Sequence, residues 1–216
     1  MPNVGGIEKH LFRVVQEMLL DEHKVEVLTF TTDVELEKIE VDDRFTIRRI
    51  AHNGDKRRRS IQHITKNLRQ ILSFDIIHVH DHTSFILVIL PILPLLKLMN
   101  IPVYITFHGW EGIYPPPKKI IFKRKVVNFL ASGNICVGHF IEKWYGTKAD
   151  QVIYGGCDVD ASLPAESTPS DNDVVFIGRL ASDTGIWIYL KAWQTLKLKY
   201  GNRYKKFYIC GGGTEL

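Results

Sequence analysis

Three of the chain's nine histidines crowd into one pentapeptide, His78-Val79-His80-Asp81-His82. On an extended segment His78 and His80 project to the same face. With His82, the pair could ligate a metal or pass hydrogen bonds at a strand end. No HExxH pattern and no cysteine pair accompanies them, so a metal-dependent hydrolase would rest on these imidazoles alone. His108 lies between Thr106-Phe107 and Gly109-Trp110. There it could donate a hydrogen bond or shuttle a proton, or it could be a satisfied histidine at a rim. Gly5-Gly6 run into a helical pattern from Ile7. Glycines let a ligand approach the backbone, and a helix N-terminus offers free N–H groups to a phosphate or carboxylate. A plain turn uses the same pair. In Gly178-Arg179-Leu180 the guanidinium could clamp a phosphate through two charge-assisted hydrogen bonds, or it could be a solvated surface group.

These residues need elements to hold them. Ile7, Leu11, Val14, Val15 and Met18 recur at helical spacing, as do Ile61, Ile64, Leu68, Ile71 and Leu72. Strands are expected at 24–30, 45–50, 75–80, 103–107, 134–137 and 151–154, with helices at 118–130 and 140–145 between the later ones. This alternation argues for an α/β fold, a doubly wound parallel sheet with helices on both faces. Ligands in such sheets bind at the carboxyl ends of the strands, where His80, His108 and Arg179 fall. A linker over 161–173, rich in Pro and Ser, separates residues 1–160 from a fresh strand–helix–strand unit at 174–216. The first domain lacks an opening strand before Gly5, and the second is too short to cover both faces of a parallel sheet, so the chain reads as truncated.

Composition narrows the class. The 216 residues are 45% apolar, 24% charged and 11% aromatic, which excludes disordered and fibrous chains. A formal net charge of +4 does not call for a nucleic acid. Cys136, Cys157 and Cys210 are scattered, which fits a reducing, cytoplasmic setting. The most apolar stretch, Phe85 to Leu96, contains Pro91 and Pro94; it is too short to span a bilayer and reads as one buried helix. The run Lys56-Arg57-Arg58-Arg59 reads as a solvated loop face. Lys118, Lys119, Lys123, Arg124 and Lys125 read mostly as solvated too, but they alternate with Ile120, Ile121, Phe122, Val126 and Val127. A basic amphipathic helix of this kind could make a peripheral contact through 118–130 at the inner face of a membrane.

Six segments in order resemble the retaining GT-B glycosyltransferases of group 1, family 4. The opening Pro2-Asn3-Val4-Gly5-Gly6-Ile7-Glu8-Lys9-His10 is similar to the family's "PNVGGIExH" turn, and Asp75 to Asp81 to its "DxxHxHD" strand. Ile101 to Gly109 resembles "IPVxxTxHG", Gln151 to Asp158 "IPNGVD", Val174 to Gly185 "FxGRLxxxKG", and Ile209 to Glu215 "xxGxGPE". The resemblance implies an N-terminal acceptor-side Rossmann-like domain and the incomplete start of a nucleotide-sugar-binding domain, the two facing each other across a cleft. It implies transfer of a sugar from a nucleotide-diphosphate sugar to a glycan or lipid-linked acceptor, with retention and no metal or other cofactor. It assigns His108 to the transferred sugar and Arg179 to the departing diphosphate. Gly5, Gly6, Gly109, Gly178 and Thr184 fall to donor or acceptor binding. Several positions depart from the pattern. Thr184 stands where the family has lysine, Gly155 where it has asparagine, and Gly138 where it has serine. The alternative is a non-catalytic split or decayed member, acting as an acceptor-binding or partner subunit beside a second chain that supplies the donor domain.

Overall fold

The computed structural model describes residues 6–31, 38–52, 54–109, 115–155, 173–203 and 206–213; at 38–42, 183 and 202 it describes the backbone alone. The chain divides into two compact units, Met1–Cys157 and Asp158–Leu216.

The first unit opens with α1 (Gly6–Leu20). Leu11, Val15 and Leu19 recur every four residues, and this stripe packs on Val25, Val27, Phe45 and Ile47. Those residues belong to β1 (Val25–Thr31) and β3 (Phe45–Ala51), which pair in parallel from Val25↔Phe45 to Thr31↔Ala51. β2 (Lys38–Asp42) adds antiparallel to the other side of β3. Its sequence Lys38-Ile39-Glu40-Val41-Asp42 alternates polar and apolar, a short edge strand beyond those expected above. Asp55 opens α2 (Lys56–Ile71), its Oδ1 accepting from the Arg58 N–H at 3.0 Å. The Lys56–Arg59 run is therefore not a loop; it is the exposed first turn of a helix.

A second sheet carries the site. Its order is β4 (Ile77–His80), β5 (Val103–Phe107), β6 (Gly133–Cys136) and β7 (Gln151–Val152), all parallel. Val103, Ile105 and Phe107 are buried, as a central parallel strand covered on both faces requires. Parallel strands with intervening helices make the α/β fold expected; among the described residues they lie in two sheets, this one separate from the β1–β3–β2 sheet. The stretch Phe85 to Leu96 departs from expectation, because it is broken. After the short α3 (His82–Ser84), residues Phe85–Ile89 form a π turn in which Leu90 donates to the Phe85 carbonyl at 2.9 Å. Pro91 cannot donate a backbone hydrogen bond, and the helix restarts as α4 (Leu93–Leu98). Phe85, Ile89, Leu93 and Leu96 stay in the core, joined by α2 through Ile64 and Ile71, by α5 (Lys118–Leu130) through Val127, and by α6 (His139–Tyr145) through Ile141 and Tyr145. No helix among the described residues is long and apolar enough to cross a membrane.

In the second unit β8 (Asp173–Ile177) and β9 (Lys206–Cys210) pair in parallel, joined through α7 (Ile186–Tyr200). The segment expected as a linker lies outside the described residues up to position 172, and Asp173 begins β8. Trp193 of α7 stacks on Phe207 with ring centroids 4.9 Å apart, and Tyr189 packs against Phe176 at 5.3 Å. The opposite strand face, with Val175, Ile177 and Tyr208, is exposed. The chain after β9 presses on the chain after β8. Gly178 donates to the Cys210 carbonyl at 3.1 Å and Leu180 to the Gly212 carbonyl at 3.0 Å. A Cβ at Gly211 would sit 1.9 Å from the Gly178 oxygen, and one at Gly213 2.1 Å from the Leu180 oxygen. Both positions therefore demand glycine.

Candidate functional site

The parallel register of β4 and β5 puts His78 opposite Tyr104 and His80 opposite Thr106. Nε2 of His78 lies 2.8 Å from Oγ1 of Thr106. His108 is the first residue past β5, and its Nε2 lies 2.8 Å from Nδ1 of His80. The two rings stack with centroids 5.1 Å apart, and His78 leans over His80 at 4.6 Å. From α1, one turn after Gly6, the His10 ring meets His108 edge-on at 5.5 Å. Four imidazoles thus converge at the carboxyl ends of β4 and β5, the edge where open parallel sheets bind ligands.

A direct imidazole–imidazole hydrogen bond needs one proton between the two nitrogens. Burial and the neighbouring imidazoles His78, His108 and His10 push the His80 pKa down to about 3. Burial, with His10 leading the repulsive neighbours and Asp81 opposing them, pushes His108 down to about 4. Both rings are neutral at pH 7, so His108 acts there as a donor or acceptor of a hydrogen bond and not as a cation.

Asp81 follows β4 with φ +74° and ψ 151°, a conformation that costs a non-glycine residue on the order of 1–3 kcal/mol. Two backbone hydrogen bonds help to hold it: Asp81 donates to Thr106 at 2.9 Å, and Phe85 donates to Asp81 at 3.3 Å. The Asp81 carboxylate accepts from Nδ1 of His82 at 2.9 Å. Burial pushes this carboxyl up, but the hydrogen bonds from His82, its charge and Arg124 outweigh burial and hold it below the usual range. His82 is thereby tied to Asp81. Among the described residues no group of histidine, cysteine or acidic side chains is placed to hold a metal ion.

Arg124 corrects an expectation. It does not lie on a solvated face; it is 1% exposed. Its Nη2 donates to the carbonyls of His108 at 3.3 Å and Gly109 at 3.2 Å and lies 3.8 Å from Oδ1 of Asp81. The guanidinium sits over the Tyr145 ring at 4.0 Å and the Phe107 ring at 5.3 Å. These contacts help to offset the cost of burying the charge and fix the turn that carries His108. The sequence held a signal for it: Ile120, Arg124 and Val127 share one helical stripe.

The glycines differ in what they reveal. Gly5 lies outside the described residues. Among the described residues, a Cβ at Gly6 would meet nothing within 4 Å, and one at Gly109 only the tip of Phe140, at 4.0 Å. Crowding by the described residues explains neither glycine; Gly109 directly follows His108, and Gly6 lies one helical turn before His10. At Gly138 a Cβ would come 2.9 Å from the Phe140 ring, a tight fit for the serine that the family motif has there.

In the second unit, Gly178 and Leu180 are pinned by the chain after β9, and the Arg179 side chain between them is exposed. The Thr184 hydroxyl lies 2.6 Å from the Arg179 carbonyl and 2.7 Å from the Ala181 carbonyl, so its proton is engaged in shaping the turn. Gly185, with φ +84°, takes the chain from that turn into α7.

The family model Glycosyltransferase Family 4 covers residues 4–161, well over half of the chain. No curated protein matches.

Proposed function

We propose that this chain, which belongs to Glycosyltransferase Family 4, serves transfer of a sugar from a nucleotide-diphosphate sugar to an acceptor hydroxyl, with retention. The observation that carries the reading is the convergence of His10, His78, His80 and His108 at the carboxyl ends of β4 and β5, beside the first turn of α1. In this reading His108, neutral and held by His80 and Arg124, hydrogen-bonds the transferred sugar. Gly5, Gly6 and Gly109 leave room for ligand, and Gly178 lets the chain turn so that Arg179 reaches the diphosphate. The bond between the anomeric carbon and the diphosphate oxygen breaks and its electron pair stays on the phosphate; the acceptor oxygen bonds to the same face of the sugar, and its hydroxyl proton passes to the departing diphosphate. The cation of Arg179 stabilises that developing charge. The reading takes residues 1–160 as the acceptor side and 174–216 as the start of a donor domain, working in the cytoplasm on a nucleotide sugar and without a metal.

The test is Arg179→Ala, assayed for sugar transfer beside the parent protein. Removing one preorganised charge at the leaving group lowers kcat roughly 10²- to 10³-fold. The melting temperature stays put, because the side chain is exposed. An unchanged kcat overturns the assignment.

A second reading has one observation in its favour. Thr184 stands where the family motif has lysine, and its hydroxyl is occupied with backbone carbonyls. That leaves the position without a second cation for a diphosphate, as in a partner subunit that binds an acceptor alone. Calorimetry with a panel of nucleotide sugars separates the two readings: binding supports the enzyme, and acceptor binding without nucleotide binding supports the subunit.

A further inference from the structure

We infer that the outer face of α5 is a docking surface for an anionic lipid bilayer. The helix Lys118–Leu130 buries Arg124 and Val127 and turns the rest of its basic residues outward. Phe122, Val126 and Phe129 form a stripe at helical spacing, and they are 68%, 38% and 85% exposed. At 100° per residue, Lys118 and Lys125 flank this stripe on one side and Lys119 and Lys123 on the other, all four exposed. The helix contains no acidic residue. Exposed phenylalanines between two rows of lysines match a bilayer surface: rings enter the acyl boundary while the ammonium groups meet lipid phosphates.

The inner face makes the platform firm. Arg124 is tied to the His108–Gly109 turn, and Val127 is 1% exposed in the core. Three apolar side chains cover far less than the roughly 800 Å² per partner of a stable protein interface, whereas shallow insertion supported by charge needs no more. Charge complementarity therefore favours lipid over a second copy of this chain. The inference is independent of the sugar-transfer reading, since it concerns where the chain sits and not what it catalyses.

The test is co-sedimentation of the whole chain with vesicles of phosphatidylcholine alone, and of phosphatidylcholine mixed with phosphatidylglycerol. Binding to the mixed vesicles only, lost at ~1 M salt where the screening length falls to about 3 Å, is the expected result. The double variant Phe122→Ser/Phe129→Ser binds at least about tenfold more weakly. Lys119→Gln/Lys123→Gln binds weaker by about fivefold per lysine. Melting temperatures do not fall by more than a few degrees, because every substituted side chain is exposed. Three results overturn the inference: no binding to mixed vesicles, equal binding to both vesicle types, or undiminished binding by the phenylalanine variant. A dimer in solution that the phenylalanine variant dissociates, without vesicle binding, assigns the face to a second copy instead.

Discussion

His80 and His108 are histidines that the fold keeps uncharged. The groups facing them are His10 from α1, His78 and Asp81 from β4 and its end, and Arg124 from α5. Their folded pKa values, about 3 and about 4, lie below the ordinary 6.5. The unfolded chain therefore binds more protons than the folded one between those limits, and stability rises with pH there. The contribution is complete above pH 6.5 and is lost as the pH falls through that window toward 4 and below. Melting temperature should drop over this range, and His80→Phe should flatten the drop, since it removes the ring whose pKa is pushed furthest down. Melts of both proteins across the range check this; parallel curves would show that other groups govern acid sensitivity.

At the scale of the element, α5 works against its own dipole. Its first turn holds Lys118 and Lys119, with no acidic residue, and Pro117 at the N-cap position supplies no side-chain hydrogen bond. Positive charge at a helix N-terminus is unfavourable by roughly 0.3–1 kcal/mol per residue. Lys118→Glu/Lys119→Glu should therefore raise the melting temperature by a few degrees while weakening attachment to anionic vesicles, and scanning calorimetry of the variant checks the first half. A variant no more stable than the parent would mean that solvent already screens the helix end. The elements differ in how plainly the sequence announces them. β5 was legible because Val103 to Phe107 is a nearly unbroken apolar run between Pro102 and the His108–Gly109 turn. The imidazoles of β4 were legible through alternation, since His78 and His80 had to share a face. Arg124 was not, because a cation among lysines reads as surface until the stripe through Ile120 and Val127 is given weight. The partnership of His10 with His108 was out of reach, because it depends on how α1 lies across two strands distant in the chain. The break at Leu90–Ile92 was signalled by Pro91, but apolar continuity argued the other way.

For the whole molecule, the two units differ in how completely they cover their sheets. β4 to β6 are packed by α2, α5 and α6 around buried Phe85, Ile105 and Phe107. β8 and β9 have α7 on one face and leave Val175, Ile177 and Tyr208 exposed on the other. A two-stranded sheet with one covered face has little to hold it closed. Amide hydrogen exchange followed by mass spectrometry should show β8 and β9 opening well before β5, with unfolding in two stages and no single transition. Protection of β8 equal to that of β5 would mean that its bare face is covered in solution. The same exposed face has a consequence for handling the protein. Brief local opening would free Val174-Val175-Phe176-Ile177, a β-branched and aromatic tetrapeptide without charge, to stack with its copies in other molecules. Shelf life in concentrated solution would then be set by the opening rate of this small unit, however firm the larger one remains.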